Sequence, residues 1–296
     1  MSAAVLYFAP GSGLGHLTRA LAVCLELREL GVEAEIATNS PFAQPLARLA
    51  RIRVTQIAND QWSAAAPRLL AERAPRAAVV DTFPNGLRGE WLQRPDVPLI
   101  HMARRLRLEN YAQFATDGAA WRGFALTVAI EALAPEHEAL LSPPVHALRG
   151  LIRLAPGRIG GAGPERLLQL LDNGAALVVH GGPREEVAQL VANARARSSA
   201  EVAAITPWQL DGVACFDYFP AANVLARASH IFTGGGYNSI ADTMELRPRH
   251  TALAFPRRFD DQAARLAAVG TADADATREA VEAIVLAAGL SASSHR

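Results

Sequence analysis

Short apolar runs alternate with amphipathic stretches along this chain, and this alternation constrains the fold more than any other sequence feature. Residues 5–8 are typical of a buried strand, and they precede a glycine-rich turn and a helical pattern over 16–30. Further strand-like runs, with helical stretches such as 41–50 between them, lie at 32–38, 52–57, 77–80, 99–101 and 126–130. Strands that alternate with helices predict βαβ units and a parallel sheet.

The same pattern starts again in the second half of the chain. Residues 143–164 are rich in proline and glycine, which is typical of an interdomain linker. Helices are then expected near 164–171, 185–196 and 277–288, with strands at 175–179, 202–205, 213–216, 230–233 and 251–255. We therefore predict an α/β protein of two doubly wound parallel-sheet domains facing a cleft, residues 1–148 and 149–296, with the last helix able to pack back on the N-terminal domain.

The composition excludes several functional classes. The formal net charge is zero, so nucleic acid is not expected as the main partner. All 29 basic residues are arginine, and the absence of lysine excludes a Walker A lysine and a Schiff-base or pyridoxal-phosphate enzyme. The two cysteines form no disulfide framework, and no apolar run approaches the about 18 residues of a membrane span. We expect a cytoplasmic protein.

The first glycine-rich turn contains Gly11, Gly13 and Gly15 and ends at His16. Glycines between a strand and a helix let the backbone approach a ligand, and the helix offers unpaired N–H groups. His16 stands where the third glycine of a dinucleotide-binding turn belongs, and no acidic residue ends the second strand. A dinucleotide site is therefore disfavoured.

The second turn contains three consecutive glycines, Gly234, Gly235 and Gly236. They lie between a predicted strand and a predicted helix, where their backbone N–H groups would form a concave set of donors suited to a diphosphate. The alternative is a flexible loop without a ligand.

The segment from Ala228 to Asp242, which contains the triple glycine, resembles the donor-binding segment of glycosyltransferase family 28, as do Pro248, Pro256 and the pair Asp261-Gln262. The first turn is similar to the N-terminal glycine loop of the same family. The resemblance implies a GT-B fold of two Rossmann-like domains, with the acceptor on the N-terminal domain and the nucleotide sugar on the C-terminal one. It also implies inverting transfer from a UDP- or dTDP-sugar to a hydroxyl group, with no metal and no further cofactor.

The resemblance assigns donor-binding positions along the second half of the chain. The triple glycine would hold the diphosphate, with Asn238 and Ser239 nearby. Asp242 would contact the ribose. Tyr218 and Phe219 would lie near the base, and Asp261 and Gln262 would contact the sugar hydroxyls. The turn Gly181-Gly182 belongs to the same predicted donor site.

Two positions depart from the family pattern. Asp242 replaces a ribose-binding glutamate and is one methylene shorter. Arg247 stands where a glycine usually precedes a proline, and a non-glycine residue there is expected to need strained or altered backbone. Both departures bear on the identity of the donor.

Two residues are candidates for the base that deprotonates the acceptor. His16 starts the first helix, whose positive end would keep its ring neutral. Asp81 ends a predicted strand, and its carboxylate would point toward the cleft, although it could instead cap a turn. Arg257 or Arg258 would assist the leaving diphosphate, or else be solvated.

Two further patterns have simple structural explanations. Asp273 and Asp275 match a metal-binding D-x-D spacing, but helix capping is the favoured interpretation. The cluster Arg104, Arg105 and Arg107 could receive an anionic acceptor, but a solvated position on the surface is the favoured interpretation.

Two other functions remain open alternatives: a nucleotide-sugar 2-epimerase and a catalytically silent nucleotide-sugar-binding subunit. The sequence identifies neither the acceptor nor the oligomeric state, and it leaves peripheral membrane contact open.

Overall fold

The computed structural model of this 296-residue chain describes residues 3–11, 13–111, 119–268, 270 and 274–291. The chain divides into two compact units. The first contains the chain up to Arg153, a short later segment, Arg258–Asp261, and the stretch from Gly270 onward. The second contains Leu154–Arg257 and the stretch that begins at Gln262.

In the described residues each unit is built around one parallel sheet, of seven strands in the first and five in the second. The strands of the first sheet are β1 (Val5–Ala9), β2 (Ala34–Thr38), β3 (Arg53–Gln56), β4 (Ala77–Asp81), β5 (Leu99–Ala103), β6 (Leu126–Ala129) and β7 (Val145–Ala147). Those of the second are β8 (Ala176–Val179), β9 (Val202–Ile205), β10 (Ala214–Phe216), β11 (Ile231–Gly234) and β12 (His250–Leu253). The predicted α/β class is confirmed.

Helices connect the strands. They are α1 (Gly15–Glu29), α2 (Ala43–Ala50), α3 (Trp62–Arg73), α4 (Leu108–Tyr111), α5 (Pro135–Glu138), α6 (Glu165–Asp172), α7 (Arg184–Arg197), α8 (Ala222–Leu225), α9 (Tyr237–Asp242), α10 (Gln262–Ala267) and α11 (Thr277–Ala287). The described residues also contain two 3-10 helices, Ala119–Trp121 and Met244–Arg249.

Each sheet has a point at which the strand order reverses. In the first sheet the order is β3-β2-β1-β4-β5-β6-β7, so the reversal lies between β1 and β4. In the second it is β10-β9-β8-β11-β12, so the reversal lies between β8 and β11. Every residue of β1, β4 and β5 is buried, because helices cover both faces of a doubly wound sheet. Ligands bind beyond the carboxyl ends of the strands at such reversals.

The stretch 143–164, interpreted from its composition as a linker, is partly structured, and that interpretation was wrong for its first residues. Val145–Ala147 form β7, which pairs with β6. Leu151, Ile152 and Leu154 are buried. Leu151 also forms an isolated bridge with Asp275. Strand pairing of residues 145–147 and burial of three apolar side chains therefore order a segment whose composition is typical of a linker.

The last helix, α11, packs on α1 within the first unit. Arg278 donates to Glu26 at 2.9 Å, and Ala280, Val281 and Ile284 are buried. Nε2 of His146, in β7, lies 3.0 Å from Oε1 of Glu279 in the same helix. The C-terminal residues thus complete the core of the unit that contains the N-terminus.

Candidate active site

The turn between β1 and α1 brings backbone against the ring of His16. Gly11 has a φ of +147°, and a Cβ there would lie 2.9 Å from Cδ2 of His16, so a side chain would displace the ring. The Gly11 N–H donates to Oδ1 of Asn39 at 2.6 Å. A Cβ at Gly13 or Gly15 would meet no atom within 4 Å, which leaves this part of the turn open.

His16 and Asp81 meet at the carboxyl edge of the first sheet. Nδ1 of His16 lies 2.9 Å from Oδ2 of Asp81, the last residue of β4. The Asp81 side chain is fully buried, whereas 18% of the His16 side chain is exposed. A hydrogen bond from Nδ1–H to a carboxylate fixes the ring and puts the lone pair of the neutral form on Nε2. The two predicted base candidates therefore form one pair.

A third residue of the site, Arg19, was missed from the sequence. Its side chain is fully buried, and its Nη2 lies 2.8 and 2.7 Å from the two oxygens of Asp81, while Nε lies 3.1 Å from Oδ1. His16 and Arg19 are three residues apart on α1, so they share one face of the helix. The sequence signal was His-x-x-Arg at a helix start after a glycine turn.

Burial and charge set the protonation states of this triad. Burial alone would raise the pKa of Asp81, but the Arg19 guanidinium and the His16 ring hold that pKa well below its usual range. Burial lowers the pKa of His16, which the Asp81 carboxylate opposes without cancelling it, and the charges of Arg19 and Arg104 lower it further. At neutral pH the site therefore contains an aspartate anion and a neutral imidazole, the form that a general base requires.

The loop after β4 places an aromatic ring on His16. Thr82 has a φ of +72°, which is uncommon for a residue other than glycine, and its carbonyl oxygen lies 3.1 Å from Nε2 of His101. Phe83 then stacks on the His16 ring with centroids 5.9 Å apart. The hydroxyl of Tyr111 accepts from the N–H of Asn85 at 3.0 Å and so holds the loop in place.

The later segment Arg258–Asp261 completes the first unit next to this ring cluster. Phe259 packs edge-on against Phe83 at 5.3 Å between centroids. Asp260 pairs with Leu106 in an antiparallel bridge, and Oδ1 of Asp261 lies 3.8 Å from Nη2 of Arg107. The predicted sugar-contacting residue Asp261 therefore belongs to the unit that contains His16.

The arginine cluster after β5 is engaged by protein groups. Arg104 is buried, and its Nη2 lies 3.5 Å from Oδ1 of Asp260. Arg105 donates to the carbonyl oxygen of Ala132 at 2.8 Å. The expectation of a solvated cluster was therefore wrong for Arg104.

The triple glycine of the second unit forms the turn from β11 into α9, and its three members differ. The Gly235 N–H donates to the carbonyl oxygen of Leu253, the last residue of β12, at 2.8 Å, so this N–H group is used in strand pairing. A Cβ at Gly234 would lie 2.8 Å from the His180 ring. Gly236 is half-buried, and a Cβ there would meet nothing within 4 Å. Gly236 is the glycine that leaves room for a ligand.

A charged cluster lies at the carboxyl end of β8, and sequence reasoning missed one of its members, Glu186. Nε2 of His180 lies 2.7 Å from Oε2 of Glu186, and Arg257 donates to Oε1 at 2.6 Å. A Cβ at Gly182 would lie 2.4 Å from Nε2 of His180, whereas one at Gly181 would meet nothing within 4 Å. Arg257, expected to assist the diphosphate or be solvated, is instead paired with Glu186.

The predicted base-binding residues lie after β10, in the same unit. The hydroxyl of Tyr218 donates to the carbonyl oxygen of Gly161 at 2.7 Å, and its ring packs against the apolar core. Phe219 is half-buried and precedes a cis proline, Pro220. The hydroxyl of Tyr218 therefore forms a hydrogen bond within its own unit that stabilises the fold.

The remaining predicted donor residues lie on α9 and α10. Asn238 and Ser239 are half-buried in the first turn of α9, and Asp242 is its last residue. Gln262 is buried, and its side-chain oxygen accepts from the N–H of Phe255 at 3.0 Å. The oxygen of Gln262 therefore supports the backbone after β12.

The backbone strain expected at Arg247 is absent. This residue lies in the 3-10 helix Met244–Arg249 and has no positive φ. Its guanidinium donates to Oγ1 of Thr243 at 3.3 Å. A 3-10 turn accommodates a side chain at a position where a left-handed turn would require glycine.

Asp275 of the D-x-D pattern accepts from the N–H of Thr277 at 3.0 Å and pairs with Arg153, whereas Asp273 lies outside the described residues. Among the residues that the structure describes, no group of three or more His, Cys, Asp or Glu side chains is arranged to hold a metal ion. No helix in the described ranges is long and apolar enough to cross a membrane.

Both sheets, their reversal points and their glycine turns define the GT-B fold, and solved structures share it. SsfS6, a glycosyltransferase of Streptomyces sp. SF2575, is similar with a TM-score of 0.61 at 13% identity, over 95% of this chain and 90% of that one. The spinosyn rhamnosyltransferase SpnG, solved with spinosyn aglycone, has a TM-score of 0.60 at 16% identity, over 98% of this chain and 92% of that one.

VinC, a glycosyltransferase solved in complex with dTDP, has a TM-score of 0.59 at 15% identity, over 96% of this chain and 93% of that one. No protein-family model matches the chain, and no curated protein matches it in sequence. The predicted GT-B fold is confirmed, and the resemblance to family 28 in particular stays a prediction.

Proposed function

We propose that this protein is a glycosyltransferase that moves a sugar from a UDP- or dTDP-sugar to an acceptor hydroxyl, with inversion and without a metal ion, in the cytoplasm. The observation that carries the proposal is the 2.9 Å contact between His16 and Asp81 at the carboxyl edge of the first sheet. Similarity in fold to SsfS6 and VinC, both solved with thymidine diphosphate, supports testing dTDP-sugars first. The family 28 resemblance supports UDP-sugars and inversion.

His16 is the general base of the proposed reaction. The acceptor hydroxyl transfers its proton to Nε2 of His16 while its oxygen bonds to the anomeric carbon of the donor. The bond from that carbon to the diphosphate oxygen breaks, and its electron pair leaves with the diphosphate. Asp81 stabilises the resulting imidazolium. Asp81 is not itself the base, because it is fully buried and both of its oxygens are engaged by Arg19.

The donor site of the proposal lies in the second unit. Its support is the open Gly236 at the β11–α9 turn and the open Gly181 at the end of β8, because bare backbone lets a diphosphate approach its N–H groups. Asp242 is proposed to contact the ribose and Phe219 to contact the base. Asp261, which belongs to the first unit, stays the residue that the family resemblance assigns to the sugar hydroxyls.

Turnover by the purified protein tests the proposal. UDP- and dTDP-sugars are incubated with it, and release of the free nucleoside diphosphate is followed with water and with hydroxylated acceptors. We expect slow release with water, and a strong loss of release in His16→Ala. His146→Ala is the matched control, because His146 also pairs with a carboxylate in the first unit but lies in β7, at the edge of the sheet.

The outcomes separate the proposal from its alternatives. Binding of the nucleotide sugar without release under any condition would favour a silent binding subunit. Conversion of the sugar to its C2 epimer would favour an epimerase. Unchanged turnover in His16→Ala, with donor binding intact, would contradict the role of His16 as the base.

A further inference from the structure

One tryptophan differs from the others in its exposure. Trp62, Trp91 and Trp121 are at most 2% exposed, whereas Trp208 is 40% exposed. These four are all the tryptophans of the chain. Indole is a large apolar group, so leaving it in water is unfavourable unless something covers it.

The position of Trp208 is at the carboxyl edge of the second sheet. It follows β9, whose neighbour β8 leads into the Gly181-Gly182 turn. The N–H of His180 in that turn donates to the carbonyl oxygen of Ile205, the last residue of β9, at 3.1 Å. Trp208 therefore lies at the edge where a doubly wound sheet binds ligands.

The ring of Trp208 is held by one edge. Its indole Nε1–H donates to the carbonyl oxygen of Gly182 at 2.8 Å, and its backbone N–H lies 3.4 Å from Oγ1 of Thr206. The only polar atom of the indole is therefore satisfied, so the exposure is not explained by a need for water at this nitrogen. A ring fixed in this way is preorganised, and little entropy is lost when another ring stacks on it.

We propose that Trp208 is a stacking platform for the planar base of the nucleoside diphosphate. The inference rests on the proposed function, because the Gly182 carbonyl that anchors the indole belongs to the proposed donor turn. It adds an aromatic contact that the family resemblance did not assign. Tyr218, which the resemblance did assign, has its hydroxyl committed to Gly161.

Solute quenching of tryptophan fluorescence tests this directly in the wild-type protein. Because Trp208 is the exposed tryptophan, acrylamide quenching reports mainly on it. UDP or dTDP, at a concentration that calorimetry shows to be saturating, is expected to lower the fraction of tryptophan fluorescence that acrylamide can quench. Inorganic pyrophosphate, which has no base, is expected to leave it unchanged.

Variants give a second readout. Trp208→Ala is expected to weaken UDP binding by about 5- to 100-fold, the range for loss of one base stack, and to leave pyrophosphate binding unchanged. Trp208→Phe is expected to lose less, because it keeps an aromatic face. Phe42→Ala is the matched control, since Phe42 is 41% exposed and lies in the first unit.

Three results would overturn the inference while leaving the proposed function in place. These are UDP binding without protection of Trp208, equal protection by pyrophosphate, and protection that requires the sugar of a nucleotide sugar. If neither UDP nor dTDP binds, the proposed function fails, and the inference fails with it.

Discussion

Replacing Asp81 with asparagine should destabilise the first unit strongly. Both partners of the Arg19–Asp81 pair have no exposed side-chain surface, and three N–H contacts of 3.1 Å or less join them. Asp81→Asn leaves the guanidinium buried without its counter-charge. Breaking a buried pair in this way typically costs about 3–5 kcal/mol of the free energy of unfolding.

Urea unfolding followed by circular dichroism measures this loss. Because the chain has two units, the shift is expected in the transition of the first unit, and two-state analysis applies to each transition separately. Asp172→Asn is the matched control, since Asp172 pairs with Arg227 at the surface, with side chains 53% and 45% exposed. An exposed pair of this kind contributes about 0–1 kcal/mol.

A loss of less than about 1 kcal/mol in Asp81→Asn would refute the reasoning, because it would mean that the Arg19 charge is solvated or compensated elsewhere. The pH dependence follows with a definite sign. The pKa of Asp81 is lowered in the folded state, so its contribution is present at neutral pH and is lost only as strongly acidic solutions protonate it.

Two further predictions concern the site, and a third concerns an arginine that holds the loop after β4. Because burial lowers the pKa of His16, turnover should stay constant as the pH falls through about 6.5, the ordinary pKa of histidine. Turnover should fall only at lower pH, where the ring gains a proton. A pH–rate profile whose fall is centred above about 6.5 would contradict this. Gly11→Ala should push the His16 ring aside and reduce turnover more than tenfold, with UDP binding unchanged by calorimetry, because the added Cβ would lie 2.9 Å from Cδ2. Arg94→Met should lower the free energy of unfolding by about 2 kcal/mol or more in urea, because its guanidinium donates to the carbonyl oxygens of Pro84 and Ala120.

The strands and glycine turns were predictable because buried parallel strands are continuous apolar runs. Strand β1, and β4, which is apolar except for its last residue Asp81, were predicted to within one residue at each end, and the His16 turn was recognised from its glycines. Val145–Ala147 was missed, because three alternating residues near two prolines do not outweigh a linker composition.

The partners within the site were not predictable from local patterns. Arg19 contacts Asp81 across 62 residues of sequence, and no spacing rule links them. The three consecutive glycines at 234–236 are the same residue type, yet their surroundings differ. The fold alone determines which neighbours face each of them. Asp261 belongs to the first unit because the chain returns to that unit at Arg258–Asp261, and no local sequence pattern indicates this return.

Calorimetric titration of UDP and dTDP tests the central claim most directly. The account predicts binding at one site per chain in the wild type, with strong weakening in Gly236→Ala, whose Cβ meets no protein atom and so leaves the fold intact. Gly161→Ala, equally open and without a positive φ, should bind as the wild type does. Absence of heat with every nucleoside diphosphate, or unchanged affinity in Gly236→Ala, would contradict it.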